Sequence, residues 1–398
     1  MSITIILREM EHILRRNADP SFSGDDSAYS ALSGALTYQA LAGEQRLDPD
    51  ISNLTGDDEY TGYLRNIWRN LVANPAYLPC GELRLKNFLL VGAAGLCVDA
   101  NHGVALVGSP VNWGLDYARW YISELAKREP QIAVVDADRF TLDLHGDEPV
   151  DDRKGLLLAS PGSDVYGHWI IDYVPRLFLS QYIDPAYTAR MLLSHVPRWA
   201  PVFFDAFKIQ PEQLDFFDAE KLVVYSDLRM PSGAKNGFSM AQPINKLAWI
   251  HFRDWVAEQG AARPALDFRT SEKIFLSRRS FGSQRPIENI QKLEEIAQAR
   301  GYDIIEPEKF DIFAQAEILR RARIVVGEDG SALHNILFSR PGAQLGVVAV
   351  AERPNLWHIS MCQAMGHRIS YILAHSAADG LRNVDEAAFE AFLKRLET

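Results

Sequence analysis

The stretch Ile324-Val325-Val326-Gly327-Glu328-Asp329-Gly330-Ser331-Ala332-Leu333-His334-Asn335 reads as an apolar strand, a tight turn with two glycines, and the opening of a helix whose first hydroxyl, Ser331, suits capping. Free N–H groups and the dipole at such a helix start both point at an anion, so the turn is a candidate phosphate site as well as an ordinary strand-to-helix connection. The same rhythm continues on either side. Strands are predicted at Lys273–Ser277, Asp303–Glu306 and Gln344–Val350, and helices at Pro286–Arg300, Ile312–Arg321 and Ser331–Phe338.

An earlier series has strands at Leu156–Ala159, Met191–Ser194 and Leu222–Tyr225, with helices at His168–Ser180 and Pro197–Phe207 between them. A long helix from Gln242 to Gln259 leads into Gly260-Ala261-Ala262-Arg263-Pro264, which reads as a linker. Two β/α series joined by one linker predict an α/β fold of two doubly wound domains facing a cleft. Ahead of them, Ile6, Met10, Ile13 and Leu14 share one helical face, so Met1–Arg16 is expected to be an amphipathic helix. Such a helix would pack on its own domain, on a second copy of the chain as a homodimer, or peripherally on a membrane. Helices are also expected at Ala28–Ala42 and Tyr60–Val72, and short strands and hairpins from Glu82 to His145. The expected domains are a helical extension over 1–80, a domain over 81–260 that starts β-rich and continues as β/α, and a β/α domain over 265–398.

The 398 residues are 47% hydrophobic and 23% charged, which excludes disordered, collagen-like and coiled-coil classes. Lys and Arg number 41 against 52 Asp and Glu, and the net charge of -11 argues against nucleic acid as a partner while leaving room for a local basic pocket. Cys80, Cys97 and Cys362 form no C-x-x-C pair, so a reducing compartment is expected and a disulfide scaffold is not. The longest apolar run, Phe88 to Val98, is broken by glycines and falls short of the ~18 residues of a bilayer span. In Met1–Arg16 the positive charge follows the apolar stretch, unlike a signal peptide, and a cytoplasmic location is expected.

Three further segments carry chemistry. Ser277-Arg278-Arg279 stands at the carboxyl end of a predicted strand, the edge where open α/β sheets bind ligands, and Arg285 and Asn289 follow four apart at a helix start. Guanidinium groups hold phosphate oxygens in a bidentate manner, so Arg278 and Arg285 suit a diphosphate; taken alone the segment also reads as a solvated basic loop. In Tyr166-Gly167-His168-Trp169-Ile170-Ile171-Asp172-Tyr173-Val174-Pro175-Arg176, His168 and Asp172 share a helical face with Arg176 one turn on. The pair fits a general base with an orienting carboxylate, or a helix cap beside an Asp172–Arg176 ion pair. Val134-Val135-Asp136-Ala137-Asp138 ends in the D-x-D of metal-binding sugar transferases, but no nucleotide-binding β/α pattern precedes it and it reads as a strand-ending turn. His102, His145, His195, His251, His358 and His367 are not spaced as a metal set, and they read as structural or surface residues.

Three blocks in this order resemble the family 61 glycosyltransferases: His168-Trp169-x-x-Asp172-x-x-Pro175-Arg176; Ser277-Arg278-Arg279 with Arg285 and Asn289; and Gly327-x-x-Gly330-Ser331-x-Leu333-x-Asn335-x-x-Phe338-x-x-Pro341-Gly342. The resemblance runs from about Leu156 to Val350 and implies a GT-B architecture and metal-independent, inverting transfer from a nucleotide sugar, most simply a UDP-sugar, to a surface polysaccharide or glycan. It implies a donor site of Ser277, Arg278, Arg285, Asn289, Gly327, Gly330, Ser331, His334 and Asn335, and an acceptor side of Tyr166, Trp169 and Arg176. His168 and Asp172 become the catalytic candidates, with Glu328 and Asp329 next. The family often has His where Asp329 stands; two carboxylates beside a diphosphate would repel it, so Glu328 and Asp329 are expected to point away and to accept hydrogen bonds from sugar or ribose hydroxyls. No cofactor beyond the nucleotide sugar is implied. The rival functions are pyruvyl or phosphoryl transfer to a glycan, and a silent glycan- or nucleotide-binding subunit.

Overall fold

The computed structural model describes residues 1–9, 36–40, 54–56, 81–107, 115–186, 189–232, 243–263, 271–279, 287–351, 357–376 and 382–398. The chain forms a mixed α/β structure with two compact units, one of residues 1–45 and 76–237, the other of 46–75 and 238–398. Among the described residues no helix is long and apolar enough to cross a membrane.

The first unit holds two sheets. One is eight-stranded and mostly antiparallel. Its core is filled by Ile5, Phe88, Leu96, Val98, Leu106, Phe140 and Leu142, all at most 1% exposed. Ser2–Glu9 is one of its strands, parallel to Val104–Val107 and antiparallel to Arg139–Asp143, where a helix was expected. Ile3, Ile5 and Leu7 alternate toward the core, and this period of two prevails over the helical spacing because both edges of the strand find backbone partners. Residues 36–40, within another expected helix, are likewise a strand, antiparallel to Gly81–Leu85. The expected helix at Tyr60–Val72 lies outside the described residues.

The second sheet of this unit contains four parallel strands, β1 (Gly155–Leu157), β2 (Arg190–Leu193), β3 (Leu214–Phe216) and β4 (Leu228–Ser232), in the order β3-β2-β1-β4. That order reverses direction between β1 and β4, which makes their carboxyl ends a switch point where α/β sheets take ligands. Only Val224–Tyr225 of the expected strand 222–225 is extended, and it joins the other sheet; β4 follows it.

The second unit is built on a seven-stranded sheet whose parallel strands β5 (Lys273–Leu276), β6 (Asp303–Ile305), β7 (Ile324–Glu328), β8 (Gln344–Val350) and β9 (Arg368–Ser376) run in the order β6-β5-β7-β8-β9, with Leu54–Gly56 parallel and Arg382–Asn383 antiparallel to β9. Phe275, Ile324, Val326, Val348 and Ile372 form one face and pack with Leu293 and Ala297 of helix Ile290–Ala299 and with Phe389, Phe392 and Leu393 of helix Glu386–Leu396. Helices Pro243–Ala261, Ile312–Arg321 and Trp357–Met365 pack with one another through the Ser331–Phe338 turn. The helix ending at Ala261 therefore belongs to this unit, and the division falls near 237 rather than in the 260–264 segment. The switch point of this sheet lies between β5 and β7.

Candidate active site

At the second unit's switch point, Leu276 of β5 pairs in register with Gly327 of β7. The two strands close tightly there: a Cβ on Gly327 would stand 2.9 Å from the Leu276 carbonyl oxygen. Just beyond each strand the chain carries polar groups. Arg278 Nη1 donates to the Asp329 carbonyl oxygen at 3.0 Å, and its guanidinium lies on Gly330, where a Cβ would come within 2.4 Å of Nη1. The glycine thus makes the seat of the arginine.

Asp329 turns its carboxylate inward, with Oδ1 3.0 Å from Nε2 of the fully buried His358. The His358 ring lies 4.7 Å from that of His334, whose Nδ1 is 3.1 Å from the Ser331 carbonyl oxygen. Glu328 is 5% exposed, and burial raises its carboxyl from the ordinary range to about 6; Arg278 opposes the shift and Glu294 adds to it. Glu294 itself is paired with Arg279 at 2.6 Å. A guanidinium on a glycine seat favours an anion at this edge, and Glu328 opposes it less where its carboxyl is protonated, below about pH 6.

Other expected donor residues have structural partners. Ser277 is fully buried, and its hydroxyl accepts from the Arg279 amide at 3.3 Å. Asn289 spends both ends of its amide on the Val384 backbone, donating to O at 2.7 Å and accepting from N at 3.1 Å. Asn335, 1% exposed, donates to Gln315 Oε1 at 2.6 Å. The helix expected after Ser331 is a 3-10 helix over Ser331–Phe338 capped at Gly330, which has no side chain to bond the free amides. Arg285 lies outside the described residues.

In the first unit, the chain leaves β1 through Ser160–Val165 and enters a helical run over 166–183. Its second turn, Trp169–Tyr173, is a π-helix. Pro175 lacks the N–H that would bond back to Ile171, and widening the turn moves that carbonyl clear of the proline ring. His168 Nδ1 lies 2.5 Å from Asp172 Oδ2, with the Asp172 side chain 1% and the His168 side chain 30% exposed. Behind the imidazole is Gly162, at φ +83°, where a Cβ would be 2.4 Å from His168 Cδ2. Only glycine meets both demands. In the tautomer with its proton on Nδ1, the imidazole donates to a buried carboxylate, an arrangement that can support general-base chemistry.

The alternative of an Asp172–Arg176 ion pair gives way to a different arrangement. Arg176 is buried and donates to the carbonyls of Leu157 at 2.5 Å, Leu158 at 2.7 Å and Pro231 at 3.2 Å, tying the ends of β1 and β4 together. Trp169 is fully buried, stacked on Tyr173 at 4.2 Å, with its indole N–H on the Ser163 carbonyl at 2.7 Å. Both are therefore spent on holding the fold, while Tyr166 is half-buried. Asp136 and Asp138 of the D-x-D are paired with Arg139 and Arg119 at a hairpin turn, and Asp136 accepts from the Asp138 amide at 3.0 Å. Among the described residues no group of three or more His, Cys, Asp or Glu could hold a metal ion.

His358, in a helix buried along nearly its whole length, and Glu294, on an amphipathic one, are neighbours of the β7 edge that nothing local in the sequence marks. Gly162 follows Pro161 in the sequence, and only the fold brings it against His168. Residues 166–346, which take in both sheet edges, match the family model described as Glycosyltransferase 61. No curated protein matches the chain.

Proposed function

Since the chain carries the domain of a family 61 glycosyltransferase over residues 166–346, we propose that it transfers a sugar from a UDP-sugar to a hydroxyl of a surface glycan, inverting the anomeric centre without an essential metal. The acceptor oxygen attacks the anomeric carbon as the bond to the departing diphosphate breaks on the opposite side. His168 Nε2 takes the hydroxyl proton, and Asp172 holds the resulting imidazolium. Negative charge grows on the diphosphate, and Arg278 supplies the positive charge that a metal would otherwise bring. We place the donor with the second unit and the acceptor with the first, in a GT-B arrangement, and the protein on the cytoplasmic side of the membrane where nucleotide sugars are made.

The observation that carries this reading is Arg278 seated on Gly330 at the β5/β7 switch point. Calorimetric titration with UDP tests it. Binding by the wild-type protein and its loss in a folded Arg278→Ala variant are expected; no UDP binding by wild type, or equal binding by the variant, would overturn it.

A further inference from the structure

We propose that Trp199 and Tyr166, with Asp164 and His195 beside them, form a subsite for one pyranose ring of the acceptor glycan. The inference rests on the glycosyltransferase reading and goes beyond it by naming acceptor contacts. A pyranose presents an apolar C–H face and a rim of hydroxyls, so its receptor needs an accessible aromatic ring with a few directed polar groups at its border. The carboxyl edge of the first unit's parallel sheet offers that combination.

Trp199 keeps 36% of its surface exposed although three rings brace it: Tyr166 at 5.5 Å, Trp169 at 5.7 Å and Phe203 at 6.2 Å, with interplanar angles of 74°, 85° and 76°. Edge contacts of this kind fix the indole without covering it. The polar border comes from the ends of the same two loops. His195 Nε2 lies 2.7 Å from Asp164 Oδ1 and 3.3 Å from Ser163 Oγ, and its Nδ1 lies 2.9 Å from Ser194 Oγ. The Asp164 side chain is 78% and that of His195 38% exposed, so both meet solvent.

The β1 loop and the segment after β2 are thus stitched twice, by Asp164–His195 and by Tyr166–Trp199. The β1 loop is also the one whose Gly162 backs His168. Trp199 also packs on Trp169, the residue after the proposed base. A fold that needed these groups only for stability would bury the indole and gain nothing from an exposed carboxylate at its edge.

The test uses the full chain on a printed oligosaccharide array, followed by calorimetric titration of the glycan retained most strongly. Trp199→Ala and Asp164→Asn should each weaken that glycan by about tenfold or more, the scale of a lost ring contact or charge-assisted hydrogen bond. Trp199→Phe, which keeps a ring, should retain most of the affinity, and UDP binding should be unchanged throughout. If Trp199→Ala fails to fold, the exposed Asp164→Asn change carries the test. Unchanged glycan affinity in a folded Trp199→Ala or Asp164→Asn protein, or no glycan retained by the wild type, overturns the subsite. Glycan binding that is lost in these variants by a protein that takes no UDP supports the subsite and defeats the donor reading instead.

Discussion

Arg278 binds Asp329 through the main-chain carbonyl, at 3.0 Å, and not through the carboxylate, which is turned inward to His358. The Asp329 carboxylate is therefore not the partner of the guanidinium, which has Glu328 as its acidic neighbour. The carboxylate that would repel a diphosphate is withdrawn into a buried imidazole pair. The position where a basic residue would be simplest is acidic, and the fold removes the conflict by direction.

Two substitutions separate the charge of Arg278 from its seat. Arg278→Ala should weaken UDP by roughly 2–3 kcal/mol, the scale of a charge-assisted hydrogen bond, and Arg278→Lys should not fully restore it because an ammonium lacks the fork. Gly330→Ala places a methyl 2.4 Å from Nη1, so the flexible guanidinium must move. The melting temperature should change little while UDP affinity falls; an unaltered affinity would detach Gly330 from the site.

Glu328 gives a pH dependence with a defined sign. Its folded carboxyl titrates at about 6 against an ordinary 4.5, raised first by burial. The folded state thus prefers the protonated form: its advantage is complete below pH 4.5 and is lost as pH rises through 6. Above that window the ionised carboxylate costs about 2 kcal/mol. Glu328→Gln should match wild-type stability near pH 4 and exceed it at pH 8, as followed by melting temperature. A difference that does not vary with pH would assign Glu328 an ordinary titration.

His168 and Asp172 should act as a unit. Asp172→Asn or His168→Gln is expected to lower kcat by about 10²–10⁴-fold with UDP affinity nearly intact. Gly162→Ala meets both a positive φ of +83° and the imidazole, so it should lose stability and kcat together. Variants that melt early yet turn over at the wild-type rate would make the pair structural.

Transfer should survive exhaustive chelation. Asp136 and Asp138 are held by Arg139 and Arg119 in solvent-exposed pairs, so Asp136→Ala or Asp138→Ala should leave both the melting temperature and turnover nearly as they were. Loss of turnover on chelation with recovery on Mn²⁺ would reverse the metal-independent reading.

What neighbours in the chain determine was legible from the residues alone. The run Ile324-Val325-Val326 ending in Gly327 is β7, the β/α alternation of 273–350 is a parallel sheet, and the four-residue spacing of His168 and Asp172 does bring them into contact. Each depends on backbone preference or helical pitch within a few positions. Residues 2–9 escaped that logic because their strand partners lie about a hundred residues away, at 104–107 and 139–143, and those hydrogen bonds outweigh a local helical period. The site divides in the same way. Asp329 meets His358 across 29 positions, Asn289 is spent on Val384 across 95, and Arg176 is drawn to Pro231 across 55. Which polar groups are left for a ligand and which satisfy the fold was decided only by tertiary packing, because a buried donor or acceptor takes whatever partner the assembled chain brings near it.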